Sequence, residues 1–268
     1  MKKAYVLFDV DNTLYPRSSG LGKAMGDRIV DWVRTHVDLS GVDPAKLPGA
    51  REIEESQAYN HPPDIDPSDE LVEKLSLHYY KMYGLTIVGL VKNQGVSREL
   101  EQSYLDYVHE PSARIETYMP HKHEHVATVN LMEKLGKVVP LYLFSNAHQD
   151  HVDRILEHLS LPADWFQGCL EYYQMREHCK PQPQSYQMMI DMVRQKHPDA
   201  KPEDMIFFDD AKVNLKAAKA FGFRTVLVHD GHEQSGAERP AYIDAMLDDV
   251  RNTVEMRRIM ADFGIAMD

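Results

Sequence analysis

The chain has 268 residues, of which 43% are hydrophobic and 27% are charged, a composition typical of a globular protein with a packed core rather than of a disordered chain. The formal net charge of −12 at pH 7 disfavours nucleic-acid polymers and membrane surfaces as partners, because both attract basic proteins. No apolar run has the length of a membrane-spanning helix, and the first strand pattern begins at residue 4 with no signal segment before it, so we expect a cytoplasmic protein. The chain has two cysteines, Cys169 and Cys179, and we expect both to be thiols in that compartment.

The first predicted strand leads into two aspartates. Residues 4–8 read Ala-Tyr-Val-Leu-Phe, and Asp9 and Asp11 follow directly. Because alternate residues of an extended segment point the same way, both carboxylates are expected beyond the carboxyl edge of the sheet, where α/β proteins bind ligands. Two nearby carboxylates repel each other unless a cation or a shared proton intervenes. The pair therefore predicts either a site for a hard metal ion or two carboxylates with different roles.

A helical insert follows this strand. Apolar residues recur at helical spacing from Leu21 to Val37 and again from Leu71 to Met82, which predicts two amphipathic helices. The Pro-rich segment 61–67 predicts a turn, and the acidic segment 52–69 is expected to be solvated. Residues 17–120 contain no convincing strand pattern, so we interpret them as one all-helical insert.

The rest of the chain alternates strand and helix patterns. Short apolar runs predict strands at residues 138–144, 165–170, 205–208 and 224–228, and helical spacing predicts helices at 151–159, 184–195 and 214–221. Residues 242–263 are predicted to form an amphipathic helix that packs on the core. Alternation of this kind favours βαβ units, so residues 1–16 and 121–268 are predicted to form an α/β core with a Rossmann-like parallel sheet.

Polar residues recur at the predicted strand ends. Ser145 and Asn146 follow the second strand, Lys180 stands before a proline, and Asp209 and Asp210 follow the strand at 205–208. A hydroxyl can donate to a phosphoryl oxygen, and a lysine near a helix N-terminus can bind an anion. Each element alone is common in proteins without such a function. Their order and placement together make a chance assembly improbable.

These residues carry a family resemblance. The motifs Asp9-x-Asp11-x-Thr13, Ser145, Lys180 and Asp209-Asp210 resemble, in order, the four motifs of the haloacid dehalogenase superfamily of phosphohydrolases. The resemblance covers nearly the whole chain, and it implies that residues 17–120 form the helical cap domain that selects the substrate. Asp11 favours phosphate esters over halides, since a halide leaving group needs no proton.

The resemblance implies a role for each matched residue. Asp9 is expected to attack phosphorus and form an aspartyl-phosphate, while Asp11 protonates the leaving alkoxide and then takes a proton from water. Mg²⁺ is expected as the cofactor. The implied metal ligands are Asp9, the backbone carbonyl of Asp11 and Asp210, with Asp209 secondary; the implied phosphate-holding residues are Ser145 and Lys180, and the implied substrate contacts are Thr13 and Asn146.

A narrower resemblance concerns the substrate. The segments Asp9–Pro16, His78–Leu90 and Cys179–Pro181 are similar to the yeast-type pyrimidine 5′-nucleotidase branch, which implies a pyrimidine nucleoside 5′-monophosphate as substrate. In the insert, the candidate contacts for the base or ribose are Tyr79, Tyr80, Tyr83 and a turn at Gly84–Leu90, although any single tyrosine could instead pack inside the cap. The sequence leaves open a phosphatase or phosphomutase for another small ester, such as a sugar phosphate or phosphoglycolate, and, less favoured, a nucleotide-binding module without turnover.

Two groups of histidines stand near these motifs. His121, His123 and His125 could bind a transition metal, but a solvated helix entry is the favoured interpretation. His148 and His151 follow Ser145 closely, and they are expected to begin the next helix rather than to contact the substrate.

Overall fold

The computed structural model describes residues 3–47, 67–119, 125–229 and 239–267. The predicted turn at 61–67 lies outside these residues except for Pro67, which begins a helix. The acidic segment 52–69 lies outside them up to residue 66, as do His121 and His123. Two compact units divide the chain: Met1–Ser19 with Ile115–Asp268 form the core unit, and Gly20–Arg114 form the helical unit.

The secondary structure alternates in the core unit and is helical in the other unit. The strands are β1 (Tyr5–Phe8), β2 (Leu141–Phe144), β3 (Phe166–Leu170), β4 (Met205–Asp209), β5 (Arg224–Val228) and β6 (Ala245–Leu247). The α-helices are α1 (Leu21–His36), α2 (Pro67–Tyr83), α3 (Thr86–Asn93), α4 (Arg98–Val108), α5 (Val126–Gly136), α6 (Gln149–Leu159), α7 (Tyr172–Met175), α8 (Pro183–Lys196), α9 (Lys212–Ala220) and α10 (Thr253–Asp262).

The core unit is built on one parallel sheet with the order β3-β2-β1-β4-β5-β6. Every residue of β1, β2 and β4 is buried, as expected for strands covered on both faces. Helix α8 packs on β3, α9 on β4 and β5, and α10 on α5 and β6. The strand order reverses between β1 and β4, and ligands of open α/β sheets bind at such a point beyond the carboxyl ends. The predicted Rossmann-like fold is confirmed.

The prediction of one helix over residues 242–263 is wrong in its first half. Ala245–Leu247 form β6, which extends the sheet by pairing with β5, and only Thr253–Asp262 are helical. The Asp244 carboxylate accepts a hydrogen bond from the Thr225 backbone N–H at 2.9 Å, which anchors the edge strand. A three-residue strand is too short to show a periodicity of its own, so tertiary pairing decides its conformation.

The helical unit contains α1–α4, and no strand occurs among its described residues. Helix α1 packs on α2 and α4, and α2 packs on α3. The predicted turn at Gly84–Leu90 is wrong beyond its first two residues, because α3 begins at Thr86. Gly84 has a φ of +82°, a conformation that glycine adopts without strain and that ends α2. None of the helices in the described ranges is both long and apolar enough to cross a bilayer.

Candidate active site

The carboxyl ends of three neighbouring strands bring the predicted site residues of the core unit to one edge of the sheet. Asp9 follows β1, Ser145 follows β2, and Asp209 ends β4. The Asp9 N–H donates to the Phe208 carbonyl at 2.9 Å, so the pairing of β1 with β4 continues up to the site. Side chains that are distant in sequence therefore meet at the point where the strand order reverses.

A tight turn follows Asp9. The Leu14 N–H donates to the Val10 carbonyl at 3.0 Å, and Asn12 has a φ of +55°, which asparagine tolerates better than most residues. The turn places the Thr13 hydroxyl within 3.4 Å of Asp9 Oδ2, to which it donates. Thr13, predicted as a substrate contact, thus contacts the predicted nucleophile.

Lys180 lies at the centre of the site. Its Nζ is buried and donates to Asp9 Oδ1 at 2.8 Å, to Asp209 Oδ2 at 2.9 Å and to the Phe144 carbonyl at 2.6 Å. Burial alone would lower the pKa of Lys180, but the Asp209 and Asp9 carboxylates outweigh it and raise the pKa above its usual value. The two carboxylates therefore favour the charged form of the lysine. It does not lead directly into a helix, since α8 begins at Pro183.

The Asn146 amide fixes the backbone of Lys180. Asn146 Nδ2 donates to the Lys180 carbonyl, and Asn146 Oδ1 accepts from the Lys180 N–H, each at 2.9 Å. Asn146 thus holds Lys180 in place, and its role as a substrate contact stays a prediction. The neighbouring Ser145 is buried, and its Oγ accepts from the Ala147 N–H at 3.1 Å, which orients the hydroxyl.

Asp209 and Asp210 have different surroundings. Asp209 is fully buried and accepts from Lys180, from the Ala211 N–H at 2.8 Å and from Asn214 Nδ2 at 3.1 Å. Asp210 Oδ2 accepts from the Arg17 guanidinium at 2.8 Å. The two carboxylates are adjacent in sequence, but Asp209 is held by groups of the core and Asp210 by an arginine from the loop after β1.

Three carboxylates form a cluster that fits a cation. Asp9, Asp209 and Asp210 each place an oxygen within 4.8 Å of the other two. Burial, opposed by Lys180 and reinforced by the neighbouring carboxylates, raises the pKa of Asp9 well above its usual value. Burial and Asp209 raise the pKa of Asp210 to about 6. Both shifts express a cost of gathering negative charge, which a cation bound among these oxygens would relieve.

Two residues that contact Asp11 were not predicted from the sequence as site residues. Asp11 Oδ1 accepts from the Tyr15 hydroxyl at 2.5 Å and lies 2.7 Å from His151 Nε2. Burial, with the Asp11 charge, raises the pKa of Tyr15 well above its usual value, so the phenol keeps its proton and donates. His151 lies in the first turn of α6, as predicted, but it points to Asp11. No local pattern announces that contact, because 140 residues separate the pair.

Arg17 was also missed. Its basic side chain follows the motif Asp9–Pro16 directly, which is the one signal that could have marked it. His125 departs from the prediction of a solvated helix entry, because it is buried and its ring meets that of His158 edge to face at 5.4 Å. The two cysteines are thiols, as expected.

Tyr83 belongs to the helical unit. Its hydroxyl accepts from Asn93 Nδ2 at 3.2 Å, and Lys92 Nζ lies 5.2 Å from the centre of its ring. Tyr79 is buried and accepts from Gln94 Nε2 at 2.8 Å, so packing explains Tyr79. Tyr83 is partly exposed, and its role as a substrate contact stays a prediction.

Known proteins resemble this chain in sequence and in structure. A family model described as haloacid dehalogenase-like hydrolase matches residues 4–222. Phosphate metabolism protein 8 of Saccharomyces cerevisiae is 25% identical over 228 residues, which cover 82% of this chain and 60% of the yeast protein. Bifunctional epoxide hydrolase 2 of Mus musculus is 41% identical over 51 residues, 19% of this chain and 8% of that protein. The chain therefore spans less than two thirds of these curated relatives.

Solved structures share the fold at low sequence identity. CbbY from Rhodobacter sphaeroides, solved in complex with phosphate, has a TM-score of 0.54 at 16% identity and covers 93% of this chain and 96% of that one. The HAD-hydrolase YfnB from Bacillus subtilis, solved bound to magnesium, has a TM-score of 0.54 at 12% identity and covers 97% and 100%. Because a family model matches residues 4–222, which is more than half of the chain, the chain belongs to the haloacid dehalogenase-like hydrolase family.

Proposed function

We propose that this hydrolase is a Mg²⁺-dependent phosphomonoesterase that works through an aspartyl-phosphate on Asp9, with a pyrimidine nucleoside 5′-monophosphate as substrate. The observation that carries the proposal is the buried Lys180 ammonium, 2.8 Å from Asp9 and 2.9 Å from Asp209. A fixed cation beside a carboxylate nucleophile suits attack on an anionic phosphate, because phosphoryl transfer depends mainly on positioning and on offsetting charge.

The charge of the site supports a divalent cation. Three carboxylates (Asp9, Asp209 and Asp210) face two cations (Lys180 and Arg17), so the difference of three and two leaves one negative charge when all three carboxylates are ionised. Magnesium prefers carboxylate, carbonyl and water oxygens. When bound, the ion would offset the charge that the nucleophile and the phosphate share.

The proposed ligands are Asp9, Asp210 and the backbone carbonyl of Asp11. Asp209, which the family resemblance implies as a secondary ligand, has oxygens that already accept from Lys180, Ala211 and Asn214. We therefore assign Asp209 the task of orienting Lys180.

The reaction divides between the two aspartates. A carboxylate oxygen of Asp9 forms a bond to phosphorus while the bond from phosphorus to the ester oxygen breaks, and the proton of Asp11 passes to that oxygen. Water then attacks the aspartyl-phosphate, Asp11 takes its proton, and inorganic phosphate leaves with Asp9 restored. Ser145 Oγ and Lys180 Nζ are the proposed donors to the phosphoryl oxygens.

The substrate assignment rests on the helical unit, whose proposed role is that of a cap. Tyr83 offers a partly exposed aromatic ring beside Lys92, a combination suited to stacking on a nucleobase. The motif resemblance to pyrimidine 5′-nucleotidases supports the same class of substrate. The name of the yeast relative, Phosphate metabolism protein 8, agrees with a phosphorylated substrate without naming one.

A substrate panel tests the proposal. We expect phosphate release from UMP and CMP with Mg²⁺, none after chelation with EDTA, and none from Asp9→Asn. Asp153→Asn is the matched control, because Asp153 is an exposed aspartate of the same unit that accepts from Gln149. A higher kcat/KM for sugar phosphates or phosphoglycolate would replace the nucleotide as substrate, and equal inactivity of wild type and Asp9→Asn on every ester would refute the hydrolase itself.

A further inference from the structure

The proton carrier Asp11 is held from one side by two buried groups. Tyr15 and His151 are both buried, whereas the Asp11 side chain is 24% exposed. The Tyr15 hydroxyl donates to Asp11 Oδ1 at 2.5 Å, and His151 Nε2 lies 2.7 Å from the same oxygen. Both contacts fall on one carboxylate oxygen. The carboxylate is therefore clamped through Oδ1.

The fold explains how the histidine reaches this aspartate. Helix α6 begins at Gln149, four residues after Ser145, so one connection carries both Ser145 and His151. The His151 N–H donates to the His148 carbonyl at 3.1 Å in the first turn of the helix, which fixes the backbone under the imidazole. β1 and β2 are neighbours in the sheet, so the turn after β1 and the first turn of α6 meet.

We propose that His151, together with Tyr15, is a positioning residue for Asp11: it donates its Nε2–H to Oδ1 and so fixes the orientation of the carboxyl group. This inference rests on the proposed phosphatase function. In the first step the proton of the Asp11 carboxyl group moves to the leaving ester oxygen, and in the second step Asp11 takes a proton from the attacking water.

The positioning of Asp11 should matter for some esters and not for others. A leaving alkoxide, such as the 5′-oxygen of a nucleoside, requires a proton as its bond to phosphorus breaks, whereas 2,4-dinitrophenolate is stable as an anion and leaves without one. Loss of positioning at Asp11 should therefore slow the transfer from an alkyl ester and spare the transfer from the dinitrophenyl ester. A merely structural defect would slow both alike, because both use the same nucleophile, metal site and phosphate-holding residues.

The variants are His151→Phe, which keeps the bulk of the ring without a donor, and His151→Gln, which restores an N–H at a similar reach. The matched control is His158→Phe. His158 is a buried histidine of the same helix whose Nε2 hydrogen-bonds to the Met119 carbonyl at 2.8 Å. The variant His158→Phe shows what the loss of a buried imidazole hydrogen bond in α6 does when that bond does not involve Asp11.

The measurement is the rate of phosphorylation of the enzyme in the presence of Mg²⁺. Single-turnover cleavage gives this rate for the alkyl phosphate that wild type hydrolyses best, with UMP tried first. For 2,4-dinitrophenyl phosphate, the rate of the dinitrophenolate burst gives the rate of phosphorylation. The amplitude of the burst gives the number of competent sites and so corrects for any unfolded fraction.

We expect His151→Phe to lower the alkyl-ester rate about 10- to 100-fold, which is at most the low end of the roughly 10²- to 10⁴-fold that a positioned proton donor contributes, because Asp11 itself remains. The dinitrophenyl burst should stay within about threefold of wild type, followed by slow turnover because Asp11 also serves the second step. His151→Gln should recover part of the alkyl-ester rate, and His158→Phe should change the two rates by the same factor.

If His151→Phe lowers the phosphorylation rate equally for both esters, after correction for the number of competent sites, the positioning role of His151 is wrong. The proposed phosphatase function would still stand. Wild-type activity on other alkyl phosphates but not on UMP would refute the nucleotide assignment alone. Inactivity of wild type on every ester would refute the proposed function and this inference with it.

Discussion

Replacing Lys180 by methionine tests whether this lysine neutralises the buried carboxylates. The change removes the Nζ atom that donates to Asp9 at 2.8 Å and to Asp209 at 2.9 Å. Breaking a buried ion pair from one side costs about 3–5 kcal/mol, because the remaining charge stays buried without its partner. For a domain of this size the loss corresponds to a fall in Tm of about 6–20 °C. The Phe144 carbonyl also loses its 2.6 Å hydrogen bond, which adds to the loss.

A second substitution separates this charge effect from lost packing. Alone, Asp209→Asn should destabilise the protein, because it weakens the pair with Lys180. In the Lys180→Met background it should instead stabilise by at least about 1 kcal/mol, because it removes one of the two stranded charges. The change of sign is the expected signature of a charge pair.

Thermal unfolding in EDTA measures all four proteins without help from a bound metal. Lys3→Met is the control, since Lys3 and Asp199 form a 3.5 Å ion pair on the surface that should contribute little. If Asp209→Asn lowers Tm equally in both backgrounds, packing and not charge explains the role of Lys180, and the electrostatic account of the site is wrong.

Three further predictions concern the metal site and the helical unit. Arg17→Ala removes a guanidinium that lies 2.8 Å from Asp210. Because Arg17 and Mg²⁺ would compete for the Asp210 carboxylate, calorimetry should show that the variant binds Mg²⁺ at least about threefold more tightly. Unchanged or weaker Mg²⁺ binding would contradict this competition. Burial raises the pKa of Asp210 from 3.8 to about 6, so the metal-free protein loses stability as the pH rises through this window. Because Mg²⁺ needs the ionised carboxylate, it should raise Tm more at about pH 7.5 than at about pH 5, and equal rises would count against the assignment. Gly89→Ala would place a Cβ 2.1 Å from Tyr79 Cγ, and it should lower the free energy of unfolding by about 1–3 kcal/mol. Gly41→Ala is the control and should leave Tm unchanged, because its Cβ would meet no atom within 4 Å. Similar Tm values for the two variants would refute the close packing of Gly89 on Tyr79.

Strands and motifs were predictable from the sequence where one short segment carries the whole signal. The run that forms β1 and the aspartates after it stand together, and the same holds for β4 and Asp209. A buried parallel strand is apolar throughout, so its end is marked by the first polar residue. The rule failed for β6, where three residues at the edge of the sheet gain their conformation from pairing with β5.

Contacts between such segments could not be predicted in the same way. Lys180 was expected to hold phosphate, but its position between two carboxylates depends on how the connection after α7 crosses the sheet end. The partners of Asp11 come from the turn after β1 and from the first turn of α6. A histidine at a helix start is ordinary in sequence, and only the adjacency of β1 and β2 gives His151 its partner.

Carboxylates outnumber cations at the candidate active site, and this excess affects both the stability of the core unit and its proposed chemistry. Burial raises the pKa of Asp9 and of Asp210, so the fold works against the charged forms that a nucleophile and a metal ligand require. Lys180 offsets part of this cost permanently, since it is enclosed and cannot leave. Arg17 lies in a short 3-10 turn after β1 and pairs with Asp210, and the two side chains are 16% and 13% exposed. Lys180 thus suits a constant structural charge, whereas the partly exposed Arg17 is the cation with which the proposed metal ion would compete for Asp210. The proposed metal ion should therefore stabilise the core unit more near neutral pH, where Asp210 is ionised, than at about pH 5, where most of Asp210 is protonated.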